Sequence, residues 1–380
     1  MKPVPLGSVI AVKRLAAAVA LLVLAACSSG PAKVKPAELP PPANRASAQL
    51  IWSTQVGASA LTLAPFAHQG RVYLAGGSGT VAVVDATSGR DVWRMNLNTP
   101  LSTGAGSDGE VVAVVTQGHQ LVAMAEGREL WRVQLPAASY TSPLVAGRRV
   151  FVLTADRSVL AFDGRIGAKL WTQSRPGEPL VLRQGGVLLA VGDTLVAGLS
   201  GRLVGLNPDN GTPRWDVPVA NSRGTNEVER LVDLVGPVSR EGASVCARAY
   251  NSSVACVDTA TGRSVWNKTA QGVVGVHGDA QWVAGTESDG RVLVWQRANG
   301  EKGWELDRLK FRDLTAPLVL GRLLVVGDQS GQVHLLSTAD GSELTRLSTD
   351  GSAVLAQPVL SGPALVVQTR NGGVFAWRSQ

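Results

Sequence analysis

From about residue 50 to the end of the chain, short stretches of alternating apolar residues are separated by polar or glycine-containing turns, the pattern of half-buried β-strands. One unit repeats: a hydrophobic strand, a turn, a second strand ending near Asp or Asn, a glycine turn and then tryptophan. The stretch Asp85-Ala86-Thr87-Ser88-Gly89-Arg90-Asp91-Val92-Trp93 shows its second half whole. The step of four from glycine to tryptophan recurs at Gly127 and Trp131, Gly167 and Trp171, Gly211 and Trp215, Gly262 and Trp266, and Gly300 and Trp304. A seventh copy is worn, because Thr345 stands four residues after Gly341. The eighth is split. Val374-Phe375-Ala376-Trp377 has no outer strand after it, and Leu50-Ile51-Trp52 is an outer strand with nothing before it.

The second strands give an independent count, at 80–85, 120–124, 158–163, 202–207, 253–258, 291–295, 332–336 and 373–377. Eight units of roughly 40 residues fit one four-stranded blade each. The sequence therefore predicts an all-β fold, an eight-bladed β-propeller of four-stranded antiparallel blades over 49–380, closed by pairing of the N- and C-terminal strands. A linear stack would leave open edges that invite aggregation, and closure removes them. The tryptophans are expected to pack between neighbouring blades, and the turn glycines to supply backbone angles that other residues resist.

Ahead of the repeats the chemistry changes. Lys2, Lys13 and Arg14 precede an unbroken apolar run at 15–24, and Leu24-Ala25-Ala26-Cys27 follows at once. That layout predicts a signal peptide over 1–26; the run is about half the length needed to cross a bilayer. Small residues before a cysteine resemble the bacterial lipobox, which makes Cys27 the candidate lipid attachment site. An ordinary cleaved signal is the alternative. Ser28, in place of Asp, resembles the sorting pattern of lipoproteins sent to the outer membrane. Residues 27–48 are rich in Pro, Ala and Ser without an apolar period, and are expected to form a lipid-anchored flexible linker.

The formal charge of +7, less the three cations of the signal, leaves +4 on the remaining chain, with no basic block. No nucleic-acid footprint is present. Cys246 and Cys256 flank a predicted hairpin, 245–250 and 253–258, and are candidates for a disulfide; two buried free thiols are the alternative. His68, His119, His277 and His334 fall in different blades without metal-ligand spacing. Asp85, Asp163 and Asp258 sit one per blade at repeat positions, where capping a turn is the expected role. No Cys-x-x-Cys-His and no adjacent cysteine pair exists. The reading is of no catalytic residue, no cofactor and no metal.

Connection lengths single out one region. Trp93 to Pro100 is seven residues and Trp131 to Pro143 is twelve, but some fifteen follow Trp171 before the next inner strand at about 187–191, and twenty-two separate Trp215 from Pro237. These two longest connections join consecutive blades in the same way, so they must lie side by side on one face, where a rigid scaffold carries function. The first contains Glu178-Pro179-Leu180-Val181-Leu182-Arg183 and the second runs from Arg223 to Leu234. Leucines outside the strand register, beside Arg and acids, suit an interface with an apolar centre and a polar rim. The alternative is that Leu180 and Leu182 tuck into the blade and the charges are merely solvated.

The Ala-x-Asp…Gly-x-x-x-Trp unit resembles the quinoprotein-type propeller repeat, which enzymes and non-enzymes share. Together with the lipobox, the Pro-rich segment and eight repeats in 380 residues, it resembles the BamB family, lipoproteins of the outer-membrane β-barrel assembly (BAM) machinery. The resemblance implies a non-enzymatic scaffold on the periplasmic face of the outer membrane. Its partner would be the POTRA region of BamA, with unfolded outer-membrane protein precursors as a further candidate. It implies that Leu180, Leu182 and Arg183 match a Leu-x-Leu-Arg stretch that contacts BamA, and that Asp233 matches the first acid of a second motif. The second acid, two positions on, is replaced by Val235. A generic periplasmic propeller binding another envelope partner or peptidoglycan is the runner-up, and a quinoprotein dehydrogenase the distant third.

Overall fold

The second strand of each unit is apolar at nearly every position, as in Thr80–Asp85, and its burial explains why: both faces of each sheet are covered. The computed structural model describes residues 34–177, 180–222, 225–227 and 230–379; Cys27, with the signal read at 1–26, lies outside them. The chain divides into Met1–Pro36 and Ala37–Gln380, and every described strand belongs to the second unit. Eight four-stranded antiparallel sheets form there, seven with their strands in sequence order from the inside outward and the eighth with the first strand of the chain as its outermost. Blade 1 is Phe66–His68, Arg71–Ala75, Thr80–Asp85 and Asp91–Asn96. Its short first strand touches the first strands of blades 2 and 8, Gly106–Ser107 and Val359–Ser361, around the centre of the ring.

Blade 8 closes the ring as the split repeat predicts. Ala48–Gln55 pairs antiparallel with Gly373–Ser379, with Leu50 opposite Trp377 and Trp52 opposite Ala376 across a bulge.

The core is eight layers, one between each pair of neighbouring blades. Alternate residues of one strand serve different layers. In blade 1, Val72, Leu74, Ala82 and Val84 pack with Ala364, Val366, Val374 and Ala376 of blade 8. Tyr73, Ala75, Val81 and Val83 pack with Val112, Val114, Val122 and Met124 of blade 2. The period-2 alternation of a strand thus divides between two neighbours instead of between core and solvent.

The glycine–tryptophan spacing has a matching cause. Each outer-strand indole lies on the turn glycine of the next blade. Gly167, at a φ of 71°, is where a Cβ would come within 2.6 Å of the Trp131 ring, so no larger residue fits. The Trp131 indole N–H then donates to the Gly164 carbonyl of the same turn at 3.0 Å. Trp52, Trp171, Trp266 and Trp304 make the equivalent bond to Ala86, Pro208, Arg297 and Thr338. The worn repeat follows from this geometry. Blade 8 takes its third and fourth strands from opposite ends of the chain, so it has no glycine turn on which a tryptophan at 345 could lie. Thr345 borders instead a groove lined by Asn44–Ala48 residues such as Arg45 and Ala46.

Residues 37–47 depart from the flexible linker that composition predicts. The Arg312 Nη1 donates to the Ala37 carbonyl at 2.8 Å, and Arg346 Nη2 to the Pro40 carbonyl at 3.1 Å. The Ala37 and Arg45 amides donate to the Lys310 and Leu344 carbonyls. Leu39 packs on the layer between blades 6 and 7. A Pro-rich chain lacks strand donors but keeps its carbonyls, and two arginines use them. Both arginines are braced below: Arg312 by Asp328, which His334 also contacts, and Arg346 by Glu343. Burial raises the Asp328 carboxyl pKa, yet hydrogen bonds from His334, Ser330 and Arg312 outweigh it and hold the group well below the usual carboxylate range. This strap begins beside Lys310, in the connection from blade 6 to blade 7, and runs down the outer edge of blade 7.

Cys246 and Cys256 stand directly opposite one another on Ser244–Ala249 and Ser253–Asp258 and are joined in a disulfide. Both are fully buried in the layer between blades 5 and 6.

Two outcomes test this architecture. Trp131→Ala should lower stability by ~3 kcal/mol or more, from lost packing and a vacated space, read as a fall in the urea midpoint; a change near zero contradicts the staple. In limited trypsin digestion the bond after Arg45 should be cut several-fold faster in an Arg312→Gln, Arg346→Gln variant than in the parent chain. Equal cutting in the variant and the parent chain contradicts the strap.

Candidate functional site

Two connections carry the predicted interaction residues. The first, 175–187, links the outer strand of blade 3, Lys169–Ser174, to the inner strand of blade 4, Leu188–Val191. The second, 219–233, links Pro213–Pro218 of blade 4 to Leu234–Glu241 of blade 5. Within them Glu178, Pro179, Arg223, Gly224, Val228 and Glu229 lie outside the described residues. The connections lie at the end of the ring that also carries the turns between second and third strands, since the Ala155 amide of one such turn donates to Ala138 in the neighbouring connection.

The first connection is fastened along its length. Arg175 pairs with Asp216 on the outer strand of blade 4 at 2.6 Å. Partial burial raises the Asp216 pKa, but hydrogen bonds from Arg175 and Arg202 prevail and keep the carboxyl below its ordinary value. Further on, Gln184 Nε2 donates to the Val273 carbonyl at 2.7 Å, and the Gly186 amide to Thr141 Oγ1 at 2.8 Å. The strand that follows the second connection is tied to the first: the Gly236 amide donates to the Gly185 carbonyl at 2.9 Å.

The four residues read from the sequence come together here. The Leu182 amide donates to Asp233 Oδ2 at 3.1 Å. Leu180 and Leu182 are half-buried, so each rests one side on the protein and leaves the other accessible, while Arg183 is exposed. The Arg183 guanidinium stands 5.8 Å from the centre of the Tyr140 ring, a cation–π distance that holds the charge over the surface. Asp233 is turned inward, its side chain 20 % exposed. Beneath the pair of connections lies a cavity of about 60 Å³ bordered by Leu153, Arg157, Leu182, Asp233 and Leu234. Val235, where the second acid is missing, is buried in its strand opposite Arg248.

Sequence reasoning missed Arg157, Tyr140 and Gln184. Arg157 donates through Nη2 to the Leu180 carbonyl at 3.0 Å and to Asp233 Oδ1 at 3.5 Å. It sits in the turn Thr154-Ala155-Asp156-Arg157, which reads like any polar hairpin turn, and connection length gives no signal for it.

The repeat acids cap turns. Asp85 accepts from the Thr87 and Ser88 amides, Asp163 from those of Arg165 and Ile166, and Asp258 from those of Ala260 and Thr261. Among the described residues no group of three His, Cys, Asp or Glu side chains is placed to hold a metal ion.

Comparison with known proteins agrees with this picture. The family model described as "Outer membrane protein assembly factor BamB" matches residues 77–306. A relative of that name from Burkholderia pseudomallei is 38% identical over 96% of this chain and 97% of its own length. The crystal structure of BamB from Moraxella catarrhalis superposes with a TM-score of 0.80 at 27% identity, covering 87% of this chain and 100% of that one. A quinohemoprotein alcohol dehydrogenase from Comamonas testosteroni shares the fold alone, with a TM-score of 0.68 at 14% identity over 88% of this chain and 77% of its own.

Proposed function

Since the chain belongs to the BamB family of outer-membrane protein assembly factors, we propose that it works as a non-enzymatic scaffold whose two long connections bind the periplasmic POTRA region of BamA. It is a subunit of the outer-membrane protein assembly machinery. The observation that carries the finer reading is the convergence of Leu180, Leu182, Arg183 and Asp233, from two blades, on one face of the ring. Two half-buried leucines beside an exposed guanidinium offer an apolar centre with a cation at its rim. A partner presenting an apolar patch flanked by carboxylates complements that chemistry.

The strap supports the placement. Ala37 is bound beside Lys310, in a connection of the same type as 175–187 and 219–233, and so at the same end of the ring. A lipid on Cys27 would lie ten residues earlier in the chain, within ~35 Å of that point at full extension. An anchor so short would hold the end of the propeller bearing the two connections near the periplasmic surface of the outer membrane, where BamA is embedded. The fold neighbour that oxidises alcohols shares the ring, but activity resides in sites set upon a fold and not in the fold. In this chain the repeat carboxylates are occupied in turns.

Replacing Leu180, Leu182 and Arg183 together with Ala should weaken co-purification with BamA by about tenfold or more, the scale expected from losing central interface residues. The circular dichroism spectrum and melting temperature should stay unchanged. Undiminished co-purification contradicts the assignment.

A further inference from the structure

We propose that Arg157 is the positioning residue of this surface, and that Asp233 serves it as an internal latch instead of as a contact made on the partner. The inference rests on the surface described above and deepens it.

Asp233 has its carboxylate committed within the chain. Oδ2 accepts the Leu182 amide and Oδ1 faces the Arg157 guanidinium. Arg157 is itself 11% exposed, so neither partner of the pair is presented to solvent as the Arg183 side chain is. The bonds fall on two particular backbone groups: the carbonyl of Leu180, held by Arg157, and the amide of Leu182, held by Asp233. These flank Val181. Fixing both orients the short segment that carries Leu180, Leu182 and Arg183, and does so from two different blades at once.

Arg157 is built for that task. Its backbone adopts a φ of 62°, and its amide donates to the Thr154 carbonyl, which closes the turn. Its own carbonyl accepts the Arg175 amide, at the start of the first connection. Its side chain then passes over Gly177, where an added Cβ would lie 2.7 Å from Arg157 Cδ and Nε, so a larger residue there would have to displace the Arg157 side chain. The residue thus holds the connection at 175, 177 and 180 in succession. A thirteen-residue connection without such holds would have to be ordered when the partner arrives, and ordering opposes binding. The Arg157–Asp233 pair does that ordering in advance.

A double-mutant cycle on the full chain, with affinity for the purified BamA POTRA region and hydrogen exchange at the Leu182 amide as readouts, tests the proposal. Arg157→Met and Asp233→Ala should each weaken binding about tenfold, and the double variant should be no weaker than the worse single, because both changes release one device. Arg157→Lys, which keeps a donor for the Leu180 carbonyl, should recover part of the loss. The Leu182 amide should exchange faster in Arg157→Met as well as in Asp233→Ala, although Arg157 does not bond that amide. Losses that multiply, or a full loss in Asp233→Ala with none in Arg157→Met, would show direct contact by Asp233 and overturn the latch. Unchanged Leu182 exchange in Arg157→Met also overturns it, whatever the partner does. If the Leu180, Leu182, Arg183 triple variant binds like the parent, the surface reading fails, and the amide readout still decides the latch separately.

Discussion

Every hydrophobic layer in this protein belongs to two blades. A single blade buries neither of its faces alone, since Val72 and Leu74 need Ala364 and Val366 on one side while Tyr73 and Ala75 need Val112 and Val114 on the other. The fold is therefore complete only as a closed ring, and the pairing of Ala48–Gln55 with Gly373–Ser379 within blade 8 is the constraint on which the eight layers depend. Tryptophan and glycine reinforce seven of the eight seams from outside. An indole large enough to span two blades lies flat only where the turn beneath it has no side chain, and for Trp52, Trp131, Trp171, Trp266 and Trp304 its N–H also satisfies a turn carbonyl.

This logic explains how much of the fold was legible. Spacing alone predicted eight blades, because the physical unit, an indole on the following blade's glycine, is written as Gly-x-x-x-Trp in every complete copy. It also marked the one place where the unit fails: Thr345 replaces tryptophan where chain closure removes the glycine turn. The strap at 37–47 was not legible. Composition without an apolar period reads as a flexible linker, and what holds the segment is its carbonyls, which every residue has, met by Arg312 and Arg346 some 300 positions away. Sequence distance hides such a match.

The interaction surface divides the same way. Length picked out the two connections and the family resemblance picked out Leu180, Leu182, Arg183 and Asp233, which the ring brings together. The residue that organises them, Arg157, lies in an ordinary-looking turn of a third element, and nothing local in the sequence distinguishes it. Asp233, which the resemblance matches to the first acid of the second motif, faces inward in the fold, where Arg157 meets it. A rigid ring thus supplies fixed mounting points, and the surface gains its shape from bonds between connections instead of from regular secondary structure.

The central claim is that the end of the ring bearing 175–187 and 219–233 meets the partner. Site-specific photocrosslinking in intact membranes tests it most directly, with the crosslinker placed at Leu182 and, in a second chain, at Arg148. Arg148 lies in a turn at the opposite end, where its carbonyl accepts the Gly164 amide of another turn. The account predicts a crosslink to BamA from position 182 and none from 148. Crosslinking from 148 with none from 182 would contradict it.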